Sequence, residues 1–496
     1  MEALAYDGAA EEGNRVLGAR RSRVWVGAWL MVGFMVMHAV AVDPRPMFGF
    51  IGQGSFYVTP KLVSLTVGVL CAVIAIGLGG VGVAVRGGTR AYSRERVVGV
   101  AILAALGFAA SAVLATETPT RIGFFGFDFR FDGAFLFLTC LLISGAMARL
   151  SFLSERAAYL GIAAYAGAAV LVGGIAVAQA GGFDVWAWLG VDGLGARPPR
   201  STLGNSGFVS VLAATAAILV VNLLVEPKTR GGPWRGIALL ATSVYLWYAA
   251  IRAGSVAAEA ALYGVFVVWL VAVVVRLVPG WGRRYAVGGV VGVVMAFALG
   301  LVASPYLQER AASVGGAVIE NSGQRSWEVR RTFMGVASRA IAQQPLRPYG
   351  VGSFTIMVWR SANEAETARL MRMEIPEGAM GSAERIQNVL MYRDPVSGEE
   401  VRRPVIHDKV HNYLLDLWIA YGVVPTALLV VLLVSLFVRM VRAATPVTWG
   451  VASALLVYAI WAQAWFFSIA MEPLVFALLG VGWGEAERVL RSTRSI

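Results

Sequence analysis

The residues with the most evident chemistry form the stretch HDKVHN at positions 407–412. His407 and His411 lie four positions apart with an acid after the first, which is one carbon short of the H-E-x-x-H pattern of zinc proteases. Zinc would need both histidines on one helix and a third ligand, whereas Pro404 stands just before His407 and the remaining histidine is His38. The alternative is a metal-free site in which His411 exchanges a proton near neutral pH. A purely structural role, in which His411 caps the following helix, is also open.

The elements that must position these residues are long hydrophobic runs. The chain has 496 residues, of which 58% are hydrophobic and 15% are charged, a composition typical of a membrane protein. Twelve runs are each long enough to cross the roughly 30 Å hydrocarbon layer as a helix. They lie at about 24–42, 62–85, 97–115, 133–150, 158–179, 206–225, 234–251, 256–277, 285–303, 412–438, 447–468 and 473–487. The predicted fold class is an all-α polytopic membrane protein.

The orientation follows from Lys and Arg, which are concentrated in the N-terminal tail and in alternate connections on one side. Because cytoplasmic loops carry the excess of basic residues, both termini are predicted to be cytoplasmic. The net charge of +12 comes mostly from these basic residues on the predicted cytoplasmic side, and no nucleic-acid binding is expected. The predicted organisation is a cytoplasmic tail at 1–23, transmembrane helices 1–9 at 24–303, a large, partly helical periplasmic loop at 304–410, transmembrane helices 10–12 at 411–487 and a cytoplasmic tail at 488–496.

Polar residues collect at the predicted outer ends of the helices, where charges in a membrane protein usually mark function. The loop GARPPRSTLGNSGF combines Arg200 with residues that can cap a helix start, Asn205 among them. A helix start favours an anion, although a structural cap needs no ligand. The loop TETPTRIGFFGFDFRFDG places Arg130 and Asp132 among aromatic residues. The simpler explanation of that second loop is an aromatic belt at the membrane interface.

Two further outer segments carry arginines. Arg252 lies at a short turn between two hydrophobic runs, and Glu259 follows seven residues later. This spacing predicts that the two share one face, either as a structural pair or toward a ligand. The large loop contains GQRSWEVRRTF, with Arg325 and Trp327. An amphipathic helix is predicted over 326–343 from apolar residues at helical spacing, namely Val329, Phe333, Val336 and Ala340.

Four segments, in order, resemble the superfamily of O-antigen ligases and O-antigen polymerases. HDKVHNYLLDLWIAYG resembles its H-N-x-x-L…G segment, and RSTLGNSGF resembles its R-x-T-x-G-N element. AIRAGSVAA is similar to its S-R-G-a element, and GQRSWEVRRTF…QQPLRPYGVGSF to its R-x-x-W…P-x-x-G-x-G-x-F element. The resemblance covers about residues 95–440, and a large periplasmic loop before the histidine agrees with the predicted topology.

The resemblance implies a GT-C-like glycosyltransferase of the bacterial inner membrane with its site on the periplasmic face. It would transfer a glycan from undecaprenyl diphosphate to a lipid A-core hydroxyl, with inversion and without a metal or other cofactor, as an O-antigen ligase. His411 would be the general base, and Arg200 and Arg252 would stabilise the diphosphate as it leaves. The residues that would bind substrate are Arg325, Asn412, Asn205, Arg130, Trp327 and Glu259.

Three alternatives stay open. A polysaccharide polymerase, with a glycan as acceptor, and a protein O-oligosaccharyltransferase belong to the same superfamily. A flippase or transporter of lipid-linked oligosaccharides would also face an anionic headgroup with arginines, but it should show repeated halves and helices broken near the midplane. The polar residues of this chain collect on one face, which favours the enzyme.

Overall fold

The computed structural model describes residues 22–42, 58–78, 91–126, 131–183, 185–188, 200–224, 233–274, 320–375, 377–386, 389–404, 407 and 409–493. Most of these residues are helical. The helices of the first part are α1 (Ser22–Val40), α2 (Val58–Leu78), α3 (Ala91–Leu114), α4 (Thr120–Phe125), α5 (Ala134–Leu153), α6 (Glu155–Ala180), α7 (Val185–Trp188), α8 (Ser206–Leu224), α9 (Pro233–Ala253) and α10 (Val256–Val274). Those of the second part are α11 (Glu320–Gln343), α12 (Phe354–Ser361), α13 (Glu364–Glu374), α14 (Tyr413–Tyr421), α15 (Val423–Ala443), α16 (Pro446–Ala462) and α17 (Glu472–Ser492).

Eight of the described helices are long and apolar enough to cross a membrane: α1, α2, α3, α5, α6, α8, α9 and α15. They agree with the predicted polytopic helical membrane protein. Two further predicted runs also form apolar helices, α10, of which Val256–Trp269 is fully described, and the shorter α16. The run predicted at 285–303 lies outside the described residues, so the number twelve stays a prediction, as do the orientation and the position of the termini.

Helices α6, α9, α10 and α16 pack around α8. Nearly all of its residues are buried, because a helix that is hydrophobic on every side finds partners on every side. α17 approaches α5 through Gly480 and Gly484, where an added Cβ would collide with the carbonyl oxygens of Ser144 and Ala148. This G-x-x-x-G spacing lets two helix backbones come into direct contact.

Two predicted helices are shorter than their hydrophobic runs. The run at 412–438 is two helices, α14 and α15, because Gly422 between them has a φ of 82° that ends the first helix. Hydrophobicity continues through this glycine, so the run alone predicted one helix. The run at 447–468 ends as a helix at Ala462. Residues 463–471 then form the connection to α17, which we call the 463–471 connection.

The large loop forms a layer with its own core, which includes Phe333, Val336 and Ala340 of α11. This confirms the predicted amphipathic helix, whose apolar face packs on protein. The prediction of an all-α chain misses a small antiparallel sheet, β1 (Glu384–Ile386), β2 (Val389–Arg393) and β3 (Glu400–Pro404), in the order β1-β2-β3. Backbone hydrogen bonds, including Tyr349 N to Ile419 O at 2.9 Å, attach this layer to the helix bundle.

Candidate functional site

Five contacts gather the candidate residues at one end of the helix bundle, which we call the site end. Near the ends of α6 and α1, Gln179 Oε1 accepts from Ser201 N and Ala39 O accepts from Thr202 Oγ1, at 2.8 and 2.7 Å. Three more contacts complete the set: Arg252 with Ala180, His38 with Ile469, and Asn412 with Gln463. The segments predicted as outer loops from sequence therefore meet in one region.

His411 lies at the site end in a left-handed backbone conformation, with a φ of 60°. Its ring is half-buried among aromatic rings, with centroids 5.3 Å from Phe466, 5.9 Å from Trp465 and 6.2 Å from Phe333. The cap of α14 is Asn412, whose Oδ1 accepts from Leu415 N at 3.1 Å. The structural explanation that His411 caps this helix is therefore wrong, and its positive φ is the kind of strain that clusters at functional sites.

Trp465, in the 463–471 connection, joins the parts of the site. The centroid of its ring lies 5.9 Å from the centroid of His411 and 5.4 Å from the guanidinium carbon of Arg330. An added Cβ at Gly207, in the first turn of α8, would lie 3.1 Å from the Trp465 ring. The indole Nε1 is buried and has no hydrogen-bond acceptor among the residues that the structure describes. Trp465 was not predicted, and an aromatic residue in a hydrophobic run gave no signal for it.

Arg330 is the arginine of α11 that reaches this region. It is half-buried, burial lowers the pKa of its guanidinium, and it forms no ion pair within the described ranges. The predicted residues Arg325 and Trp327 lie in the same helix, but their side chains fall outside the described ones. The available signal for Arg330 was its position three residues before Phe333, which places both on one helix face.

The loop from Arg200 to Asn205 is held by buried backbone contacts. Ser201, with a φ of 47°, donates its hydroxyl to Val172 O at 2.7 Å. Asn205 is the residue that caps α8, because its Oδ1 accepts from Gly207 N at 2.7 Å. The Arg200 side chain is exposed beside this anchored loop. Asn205 therefore has a structural role, and Arg200 is available to a ligand.

Arg252 ends α9 and donates from Nη2 to Ala180 O, the last carbonyl of α6, at 2.8 Å. Its Nε is buried without an acceptor in the described part of the chain. Because Ser201 binds Gln179 and Arg252 binds Ala180, Arg200 and Arg252 lie at the same end of α6. The predicted shared face of Arg252 and Glu259 is wrong, since the helix breaks at Gly254, with a φ of 77°, and the two residues lie on α9 and α10.

The chain around His411 is fixed by an ion pair between Lys409 and Asp132, both buried. Arg130, which was predicted beside Asp132, lies outside the described residues. The His407 ring also lies beside Phe333, with 4.9 Å between the ring centroids, and its Nε2 is 3.7 Å from Glu374 Oε1. The two ring nitrogens of His38 contact Ser64 Oγ at 2.6 Å and Ile469 O at 2.8 Å. Among the described residues, no group of three or more His, Cys, Asp or Glu side chains could hold a metal ion.

A scan of the sequence against models of known protein families finds no match, and a search of curated protein sequences finds no significant match. The likeness to O-antigen ligases and polymerases therefore rests on the four quoted segments.

Proposed function

We propose that this protein is a membrane glycosyltransferase that moves a glycan from undecaprenyl diphosphate to an acceptor hydroxyl, with lipid A-core as the acceptor of an O-antigen ligase. The observation that carries the proposal is the pairing of His411 and Arg330 on Trp465 at the end of a hydrophobic helix bundle. A proton acceptor beside a guanidinium suits a reaction in which an alcohol loses a proton while a phosphate leaving group gains charge.

The proposed reaction is a direct displacement with inversion. The acceptor oxygen bonds to the anomeric carbon of the donor as the bond from that carbon to the diphosphate oxygen breaks. The acceptor's proton passes to His411, and the electron pair leaves with the lipid diphosphate. Asn412 supports this role indirectly, because its cap on α14 and its bond to Gln463 O at 3.0 Å fix the backbone next to the histidine.

Arginines take the place that a divalent cation has in many other phosphate-transfer sites. Arg252 and Arg330 are half-buried and Arg200 is exposed, and none of the three forms an ion pair among the described residues. Planar guanidinium groups bind phosphate oxygens in pairs and stay charged in partly buried sites. The donor's lipid tail would remain in the membrane beside the helices while its diphosphate meets the site end. Arg130, Arg325 and Trp327 stay candidate substrate-binding residues from the resemblance.

The site end is proposed to face the periplasm, since the charge distribution predicts cytoplasmic termini. A polymerase or a protein O-oligosaccharyltransferase would use the same donor chemistry with another acceptor, so the acceptor assay separates these subtypes. A flippase would move the lipid-linked glycan without breaking its anomeric bond.

The test is glycan transfer by the purified full chain in proteoliposomes that contain an undecaprenyl-diphosphate glycan and lipid A-core. Transfer that continues in excess EDTA and is lost in His411→Ala, with the fold retained, is the expected result. His407→Ala is the matched control and should keep most of the activity. Donor translocation without transfer would replace the proposal by a flippase. Loss of activity in EDTA that zinc restores would replace it by a metal site.

A further inference from the structure

A second polar site lies on α11, on a face next to the one that meets Trp465. A cavity of about 500 Å³ opens there between α11 and α13. Its lining residues are Arg331, Thr332, Met334, Gly335, Ser338, Glu366 and Arg369. The volume falls in the range of small-ligand sites, but the walls are polar, so the cavity does not suit a lipid chain or an apolar partner.

The charges of this cavity are not balanced. Arg331 and Arg369 are exposed, and neither takes part in an ion pair in the part of the chain that the structure describes. Glu366 is already neutralised, because its Oε2 pairs with Arg339 and accepts from Asn363 N at 3.0 Å. The carboxylate also belongs to the capping box that starts α13, which fixes its position. Two guanidinium groups therefore face the cavity with no counter-charge of their own.

The remaining lining groups suit a hydroxyl-rich ligand. The Ser338 hydroxyl donates to Met334 O at 2.8 Å, which leaves its oxygen as an acceptor toward the cavity. Gly335 has no side chain, and an added Cβ there would lie 3.4 Å from Glu366 Oε1, within the cavity wall. Arginine forks bind carboxylate and phosphate groups through two parallel hydrogen bonds. Together these groups match a sugar that carries an acidic substituent.

We infer that this cavity binds an anionic sugar unit of the glycan substrate, a uronate carboxylate or a sugar phosphate, while another unit reacts beside His411. The inference rests on the proposed glycosyl transfer for its ligand class. Neighbouring helical residues point about 100° apart, as follows from 3.6 residues per turn. Arg330 and Arg331 therefore direct one guanidinium to Trp465 and the next to the cavity, so an extended glycan contacts both faces of α11.

The test measures binding by isothermal titration calorimetry on the full chain in lipid nanodiscs, independently of transfer. The probes are tetragalacturonate for the carboxylate, glucose 6-phosphate for the phosphate and maltotetraose as the neutral control. The variants are Arg331→Gln, Arg369→Gln and their combination. Arg372→Gln is the matched control, because Arg372 is an exposed arginine of the same helix α13 outside the cavity lining. His411→Ala is included to separate this site from the reaction.

Tighter binding of an acidic probe than of maltotetraose is expected, with a loss of up to about fivefold for each arginine removed, the upper range for an exposed ion pair. Whichever acidic probe binds identifies the source of the charge. Arg372→Gln and His411→Ala should bind like the unchanged protein. Equal binding of acidic and neutral probes, or unchanged binding in the double variant, would overturn the inference. If acidic probes bind as expected but no glycan is transferred, the cavity stands and the proposed function fails.

Discussion

Replacing Arg330 by glutamine separates a binding role from a structural one. Its guanidinium carbon lies 5.4 Å from the Trp465 centroid, and Trp465 lies 5.9 Å from His411. A cation over an indole contributes about 0.5–2 kcal/mol, depending on how far it is desolvated. If Arg330 did no more than this, Arg330→Gln would lower the melting temperature slightly and leave kcat of the folded protein unchanged.

A direct role in stabilising the leaving diphosphate predicts a larger effect in another quantity. Removing one donor that acts in the transition state lowers kcat by about 10²–10³, or about 2.7–4 kcal/mol. That energy exceeds what the cation–π contact alone can supply. Arg330→Lys keeps the charge but not the planar fork, so it should retain part of the lost activity.

The assay compares initial rates of glycan transfer in proteoliposomes, with kcat and KM normalised to the folded fraction found by thermal unfolding. Arg347→Gln, an exposed arginine elsewhere in the same layer, is the control and should match the unchanged protein. If Arg330→Gln keeps kcat and kcat/KM within about twofold of the unchanged protein, Arg330 is a packing residue. The large loop then contributes no described arginine to binding the diphosphate in the proposed site.

Two further changes test how the site is held. Gly422→Ala should lower stability by about 1–3 kcal/mol, because its φ of 82° and ψ of 173° lie in a region that only glycine adopts readily, and the added Cβ would also lie 3.1 Å from Leu346 O. Thermal unfolding in detergent measures this, and Gly33→Ala, whose Cβ would meet nothing within 4 Å, should lose little stability. Asp132→Ala removes the carboxylate that pairs with the buried Lys409 and should cost about 3–5 kcal/mol, whereas adding Lys409→Met should restore much of the stability. A double variant no more stable than the single one would contradict a buried-charge penalty.

Hydrophobic length and periodicity predicted the parts of the fold that depend on local pattern. In the described part of the chain, eight of the twelve apolar runs form helices long enough to cross a membrane, and the repeat of Phe333, Val336 and Ala340 forms the buried face of α11. The break at Gly422 was missed because it depends on a single residue rather than on composition, and Gly422 ends α14 inside a continuous apolar run. The turn after Arg252 was predicted, but the shared face of Arg252 and Glu259 was not consistent with that turn.

The segments that form the candidate site could be predicted from the sequence, whereas the contacts between them could not. Arg200, Arg252 and His411 lie at one end of the bundle, as the outer loops indicated. The partners that fill the space between them could not be predicted, because Trp465 and Arg330 meet across a long separation in sequence. Periodicity shows which face of a helix is buried, but it does not show which residue lies opposite.

The half-buried arginines are paired differently at the two ends of the bundle, and this difference argues for an anionic ligand at the site end. At the opposite end, Arg439 pairs with Glu487, and Arg488 lies between Glu485 and Glu155. A half-buried guanidinium is costly unless a negative group accompanies it, and that end meets the requirement with its own carboxylates.

At the site end, Arg252 and Arg330 are also half-buried, yet no carboxylate pairs with them among the described residues. His411 and Ser201 hold strained backbone in the same region, each next to a residue fixed by hydrogen bonds. Strain of this kind persists where the surroundings fix the backbone for function. A rigid region that keeps positive charge unpaired is arranged for a negative group that arrives with the substrate, which is the property that a lipid diphosphate donor supplies.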